Sequence, residues 1–131
     1  MGTNQDRWNN VDGSTYFFFD TDGNPLYDYT GYEWLGYRDG CHGMRLFAES
    51  RSYTVVTNFN QYIKGYASPT KGFTFADFVT EIDAGRPVLI QVEGHTMIGY
   101  GYDTTGNIVY LHNTWDWSYD YMTWGGTYSG M

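Results

Sequence analysis

The sequence is short of cysteine and of long apolar runs. Its 131 residues include one cysteine, Cys41, so no disulfide can form within the chain and the core must hold the fold. No run of about eighteen apolar residues occurs, which excludes a conventional membrane-spanning helix. The first residues lack the basic and apolar segments of a secretory signal peptide, and cysteine usage leaves the compartment open.

Positive charge is also scarce. Seven Lys and Arg residues stand against fifteen Asp and Glu residues, which gives a formal net charge of −8 and a pI near 4.5. Nucleic acids and anionic membranes carry the same sign of charge and would repel this surface, so both are excluded as partners. We expect partners that are neutral or cationic.

Aromatic residues and glycine are abundant. Aromatics make up 21% of the chain, with 14 Tyr, and there are 17 Gly. This composition favours a sheet-rich protein with tight turns, because aromatic side chains suit half-buried strands. It also suits a surface that stacks sugars. The length predicts one domain, residues 1–131.

Hydrophobic periodicity and turn residues predict the order of elements. We expect an aromatic hairpin, a helix that begins near Asp39 and Gly40, a strand, a long loop, a helix capped by Thr74 and ended by Gly85, and a buried strand. These segments span, respectively, residues 16–29, 41–51, 53–57, 58–72, 74–85 and 87–92. A last strand is expected in the C-terminal aromatic segment.

A second hairpin carries the most informative residues. Strands over residues 95–102 and 106–113, joined by a three-residue loop, would place His95 opposite Asn113. An Asn amide can orient an imidazole, the imidazole can take a thiol proton, and Trp115 can shield their hydrogen bond from water. Gly94, without a side chain, would allow close substrate approach. A strand-end histidine bonded only to backbone is the plainer alternative.

Residues 81–126 carry a family resemblance. The segment EIDAGRPVLIQVEGHTMIGYGYDTTGNIVYLHNTWDWSYDYMTWGG resembles the C-terminal half of papain-superfamily cysteine peptidases, in the bacterial group similar to bacteriocin-processing peptidases. The resemblance implies peptide-bond hydrolysis by a catalytic Cys, with the family histidine at His95 and the family Asn or Asp at Asn113. It also implies a peptide or protein substrate and a bacterial secreted or cell-surface setting.

The nucleophile departs from the family pattern. Residues 7–60 contain no Gln for the oxyanion hole, and Cys41 stands only 54 residues before His95. The resemblance therefore implies that the nucleophile segment precedes residue 1 in longer relatives, and that this chain is a truncated or inactive C-terminal part. Cys41 is retained as a candidate nucleophile, because the N-terminus of a helix lowers a thiol pKa.

Other interpretations remain open. A zinc site of Cys41 with His42, His95 and His112 matches no standard ligand spacing, so we expect no metal or cofactor. The aromatic C-terminus could instead make a non-enzymatic binding or assembly module for glycans or peptides. A buried, inert Cys41 would favour that class, and an accessible, acidic thiol would favour an enzyme. A half-domain would leave an apolar sheet face uncovered, which predicts a homo-oligomer or a complementing chain.

The expected fold is α+β: a twisted, mostly antiparallel sheet with one or two packed helices, resembling the sheet lobe of papain-like peptidases. The expected function is that of a cysteine-peptidase-like domain with His95 as base, Asn113 as its orienting group and Cys41 as the candidate nucleophile.

Overall fold

The computed structural model describes residues 15–28, 39–67 and 70–131. The chain forms two compact units, Met1–Gly72 and Phe73–Met131. In these described residues, two helices and two antiparallel sheets, one of two strands and one of four, confirm the predicted α+β class. Among the residues described, no helix has the length and apolar character needed to cross a bilayer.

The described residues of the first unit form a helix and a small sheet. Its elements are β1 (Leu26–Tyr27), α1 (Gly40–Ser50) and β2 (Phe59–Asn60), and β1 pairs antiparallel with β2. Asp39 caps α1, because its side chain accepts a hydrogen bond from the His42 backbone N–H. The helix predicted over residues 41–51 is confirmed.

The aromatic hairpin predicted over residues 16–29 is wrong within the described residues. A turn does form, with the Gly23 N–H bonded to the Asp20 carbonyl at 3.0 Å. However, Leu26 pairs with Asn60 in β2, and residues 15–20 form no strand. The long-range pairing prevails over the local one because Asn60 also bonds the Phe18 carbonyl. Tyr29 lies outside the described residues.

The strand predicted over residues 53–57 is also wrong. The segment has no strand pairing, and Val56 is 94% exposed. Its β-branched residues suit a strand, but no strand among the described residues pairs with it to supply packing, on which β-propensity depends. The loop predicted over residues 58–72 therefore contains the actual strand, β2, at its start.

The second unit is a helix packed on a four-stranded antiparallel sheet. Its elements are α2 (Phe75–Asp83), β3 (Val88–Val92), β4 (His95–Asp103), β5 (Ile108–His112) and β6 (Asp120–Thr123), with the strands in chain order across the sheet. The predicted helix, hairpin strands and C-terminal strand are confirmed. The core is formed by five buried residues: Phe78, Met97, Val109, Leu111 and Met122.

β3 is an edge strand with one exposed face. Val88, Ile90 and Val92 pack against the core, whereas Leu89 is exposed. The apolar sequence of this strand predicts burial on both faces, which is wrong. The difference arises because an antiparallel sheet can be covered on one face only, and Ile98 and Tyr100 in the central strand β4 are exposed as well.

The register of the β4–β5 hairpin differs from the prediction. Ile98 pairs with His112, and the register shifts between Gly99 and Gly101. The loop comprises residues 104–107, one more than expected. Its last two residues, Gly106 and Asn107, both adopt positive φ, and the second, at 52°, extends the turn by one residue. A three-residue loop without this shift would have paired Ile98 with Tyr110.

We expect Thr74→Ala to lower the free energy of unfolding by about 1 kcal/mol near neutral pH, because it removes a capping box with Asp77. Hydrogen bonds from the Thr74 side chain and backbone lower the pKa of Asp77. The carboxylate therefore stabilises the fold above its unfolded pKa of about 3.9, and this contribution is lost as pH falls through the lower, folded value. Urea unfolding of both proteins should show the difference shrinking in acid. A difference that is constant with pH would contradict the capping box.

Candidate active site

His95 begins β4, directly after a tight turn. Val92 and His95 pair across this turn, which residues 93 and 94 form. Gly94 has φ of +82°, a conformation that side-chain-bearing residues rarely adopt. The local reason for glycine before the histidine is therefore the turn. Its role in substrate approach stays a prediction.

The His95 imidazole is bonded to Asn113, as the sequence predicts, but by a different group. His95 Nε2 lies 2.5 Å from the backbone carbonyl oxygen of Asn113. A carbonyl only accepts hydrogen bonds, so Nε2 carries the proton and Nδ1 keeps a free lone pair. The neutral imidazole is thus oriented with Nδ1 as its basic atom. The Asn113 side-chain amide, which was expected to do this, is engaged elsewhere.

Trp115 covers the imidazole. The two rings stack with centroids 4.0 Å apart and an interplanar angle of 24°. Tyr128 lies on the Trp115 ring in turn, at 6.0 Å. A stacked indole excludes water from one face of the histidine. The predicted role of Trp115, shielding the hydrogen bond of a catalytic histidine, stays a prediction.

The Asn113 side chain orders the loop that follows β5. It is buried, and its oxygen accepts hydrogen bonds from the backbone N–H groups of Trp115 at 2.7 Å and Asp116 at 3.1 Å. Its amide donates to Asp116 Oδ1 at 3.2 Å and to Asp120 Oδ2 at 2.7 Å. Asn113 therefore fixes Trp115 on His95 and the carbonyl that holds the imidazole.

Sequence reasoning missed the acidic partners of Asn113. The Ser118 hydroxyl lies within hydrogen-bond distance of two carboxylates, 2.5 Å from Asp116 Oδ1 and 2.9 Å from Asp120 Oδ2, and shares its single proton between them. The first of these bonds lowers the pKa of Asp116, which keeps its carboxylate charged. The signal in the sequence is the run of Asn, Asp, Ser and Asp at positions 113, 116, 118 and 120, since short polar side chains bond nearby backbone in turns.

We expect neutral His95 to be the Nε2–H tautomer, because the Asn113 carbonyl accepts from Nε2. Long-range proton–nitrogen NMR correlations of the imidazole above its titration range test this directly. Nδ1 should show the chemical shift of an unprotonated nitrogen and Nε2 that of a protonated one. The reversed pattern, or an equal mixture of tautomers, would contradict the bond to the carbonyl.

Cys41 lies in the first unit, in the first turn of α1, and is 2% exposed. Burial raises the pKa of its thiol to about 12, helped by the negative charges of Asp39 and Asp28, while Arg45 acts in the opposite direction. The helix N-terminus was expected to lower this pKa. Cys41 does lie at the helix N-terminus, as expected, but burial and the two carboxylates raise its pKa by more than the helix N-terminus lowers it.

The residue after Cys41 belongs to a separate polar cluster. His42 Nδ1 lies 2.9 Å from Asp28 Oδ1, and the Arg45 guanidinium also bonds Asp28. His42 is buried, and its Nε2 has no hydrogen-bond partner among the residues that the structure describes. The sequence did not predict that Asp28 and Arg45 meet at His42, because Asp28 lies thirteen residues before Cys41 and only the fold brings it there.

No metal centre accompanies these residues within the described part of the chain. In residues 15–28, 39–67 and 70–131, no group of three His, Cys, Asp or Glu side chains is arranged to hold a metal ion.

Comparison with known proteins gives one match. The family model described as the Peptidase_C39 like family matches residues 15–128, a range that includes Cys41, His95 and Asn113. Searches of curated proteins and of solved structures returned no match.

Proposed function

The chain belongs to the Peptidase_C39 like family and is a cysteine-peptidase-like domain, and we propose that its resting state is catalytically inactive because Cys41 is held as a buried thiol. The match across residues 15–128 supports the family's chemistry for both units of the chain. Cys41, His95 and Asn113 are the residues proposed to carry that chemistry.

The proposed reaction assigns one role to each group. In this chemistry a cysteine thiol gives its proton to an imidazole nitrogen, and the sulfur bonds to the carbonyl carbon of the peptide bond. Cys41 is proposed for the first role and His95, through Nδ1, for the second. The C–N bond then breaks as the imidazolium returns the proton to the leaving amine, which leaves a thioester. Water, deprotonated by His95, attacks the thioester and restores the thiol. Asn113 acts as a positioning residue through its carbonyl and its hold on Trp115.

The thiol environment is the observation that supports inactivity. A nucleophilic cysteine needs a thiolate, and catalytic cysteines commonly have a pKa below that of a free thiol, about 8.5. Burial raises the Cys41 pKa to about 12, and Asp39 and Asp28 add negative charge nearby. At neutral pH, the fraction of thiolate is therefore roughly a thousandfold smaller than for a free cysteine. Cys41 lies in the first unit and His95 in the second.

Peptide digestion tests this proposal. The chain and its Cys41→Ser and His95→Ala variants would be incubated near pH 7.5 with a pool of unstructured peptides, and new termini counted by mass spectrometry. We expect the three proteins to give equal, background cleavage. Cleavage by the unmodified chain that both variants lose would overturn the inactive state while supporting the assigned residues. Cleavage that persists in both variants would exclude Cys41 and His95 altogether.

A further inference from the structure

A row of aromatic rings lies exposed on the second unit, apart from the stacked His95 and Trp115. We call Tyr110, Trp117, Tyr119 and Tyr121 the aromatic strip. Trp117 is 91% exposed, Tyr119 93% and Tyr121 67%. Tyr110 and Tyr121 are direct neighbours across β5 and β6. On the opposite face of these strands, Val109, Leu111 and Met122 form the core, so the strip occupies the uncovered face and the adjoining loop.

The loop that carries Trp117 and Tyr119 is ordered by many hydrogen bonds. The Asn113 side chain ties its beginning to Asp120 at its end, and Ser118, between the two rings, bonds both Asp116 and Asp120. The Ser118 N–H also donates to Asp116 Oδ1 at 2.9 Å. Trp117 is held edge-on to the His112 ring at 5.8 Å.

This order has an energetic consequence for binding. Two large rings exposed to water on a fixed loop gain free energy when a partner covers them, since apolar burial is favourable. Because the loop is already held in place, it would lose little conformational entropy when a partner binds. The strip therefore has the properties of a preformed docking surface.

Charge identifies the partner. The second unit contains seven acidic residues and one basic residue, Arg86, which is paired with Glu81. Two of the acids, Asp116 and Asp120, alternate with the rings of the strip along the chain. A field of this sign attracts cations and repels a second copy of the same unit. Aromatic faces bind ammonium and guanidinium groups, whereas a neutral glycan could accept no charge attraction from the carboxylates and would gain only hydrogen bonds.

We propose that the aromatic strip docks a cationic polypeptide segment, with Lys or Arg side chains over the faces of Trp117 and Tyr119. This docking does not require a reactive Cys41. The further statement that the docked segment belongs to the substrate of the domain rests on the proposed function.

Titration with short peptides tests the docking. Hexalysine, hexaglutamate and a neutral Gly-Ser hexamer would be added to the Cys41→Ser protein, with binding followed by calorimetry at low and high salt. We expect hexalysine alone to bind, with an affinity that falls as salt rises. The double variant Trp117→Ala, Tyr119→Ala should bind it about tenfold more weakly. Tyr53→Ala, which removes an exposed ring from the first unit, is the matched control and should bind normally.

Several outcomes would overturn the docking proposal. Equal hexalysine affinity in the double variant and the Tyr53→Ala control would mean that the attraction is a general property of the acidic surface. Strip-dependent binding of a chitin oligosaccharide without hexalysine binding would make the strip a glycan site. A dimer in sedimentation that the double variant dissociates would make the occupant a second copy. Because the Cys41→Ser background lacks the thiol, none of these results depends on peptidase chemistry, and digestion results leave the docking unaffected.

Discussion

Asp39→Ala is expected to lower the free energy of unfolding by about 3–5 kcal/mol, because one fully buried carboxylate joins three parts of the first unit. It accepts hydrogen bonds from the His42 N–H at 3.0 Å, the Phe18 N–H at 3.1 Å and the Asn60 amide at 2.6 Å. Alanine would leave three donors without their acceptor and remove the helix cap.

Chemical denaturation followed by circular dichroism measures this loss. Asp22→Ala is the matched control, since Asp22 is an exposed aspartate of the same unit and its replacement should change stability by no more than about 0.5 kcal/mol. Asp39→Asn should fall between the two, because an amide keeps one acceptor oxygen and turns a donor toward the others. Equal stability of Asp39→Ala and Asp22→Ala would show that Asp39 does not hold the first unit together.

Asn113→Ala is expected to cost about 3–4 kcal/mol and to detach Trp115 from His95. The buried amide makes four hydrogen bonds, and without them the two backbone N–H groups at the start of the loop lose their acceptor. Asp116 and Asp120 would also lose the amide that donates to both of them, which leaves only the Ser118 hydroxyl between their charges.

Two measurements follow this change. Denaturation gives the loss of stability, with Thr105→Ala, an exposed position in the neighbouring loop, as the control. Trp fluorescence is the second measurement, and it is sensitive to the environment of Trp115. The fluorescence change should depend on the imidazole stacked on the indole, so His95→Ala should reproduce part of it. If Asn113→Ala keeps both its stability and its fluorescence, the loop is not ordered by this side chain.

The second unit was predictable because its signals are local. Thr74 and Asp77 start α2 within one turn, and the positive-φ glycines at positions 85, 94 and 106 mark where elements end. The proximity of His95 and Asn113 follows from any hairpin over these residues. The atom of Asn113 that bonds His95 was not predictable, because it depends on a shift of a few residues in the β4–β5 register that the turn residues do not indicate.

The first unit was less predictable because its contacts are distant in sequence. The Asp39 carboxylate bonds Phe18 and Asn60, each 21 residues away, and Leu26 pairs with Asn60 instead of with a local hairpin partner. For Cys41, the position at the helix N-terminus was predictable, and a buried, inert thiol was one of the two states that the sequence left open. Burial reverses the direction of the thiol pKa, and with it the chemistry expected of the residue.

The central claim is that Cys41 is a protonated, buried thiol in the resting domain, and its alkylation by iodoacetamide against pH tests this most directly. We predict a rate near pH 7.5 roughly a thousandfold below that of the unfolded chain, rising with pH without a plateau near neutrality, and unchanged in His95→Ala. A fast reaction with an apparent pKa well below about 8.5, lost in His95→Ala, would contradict the claim and reveal an active Cys41–His95 pair.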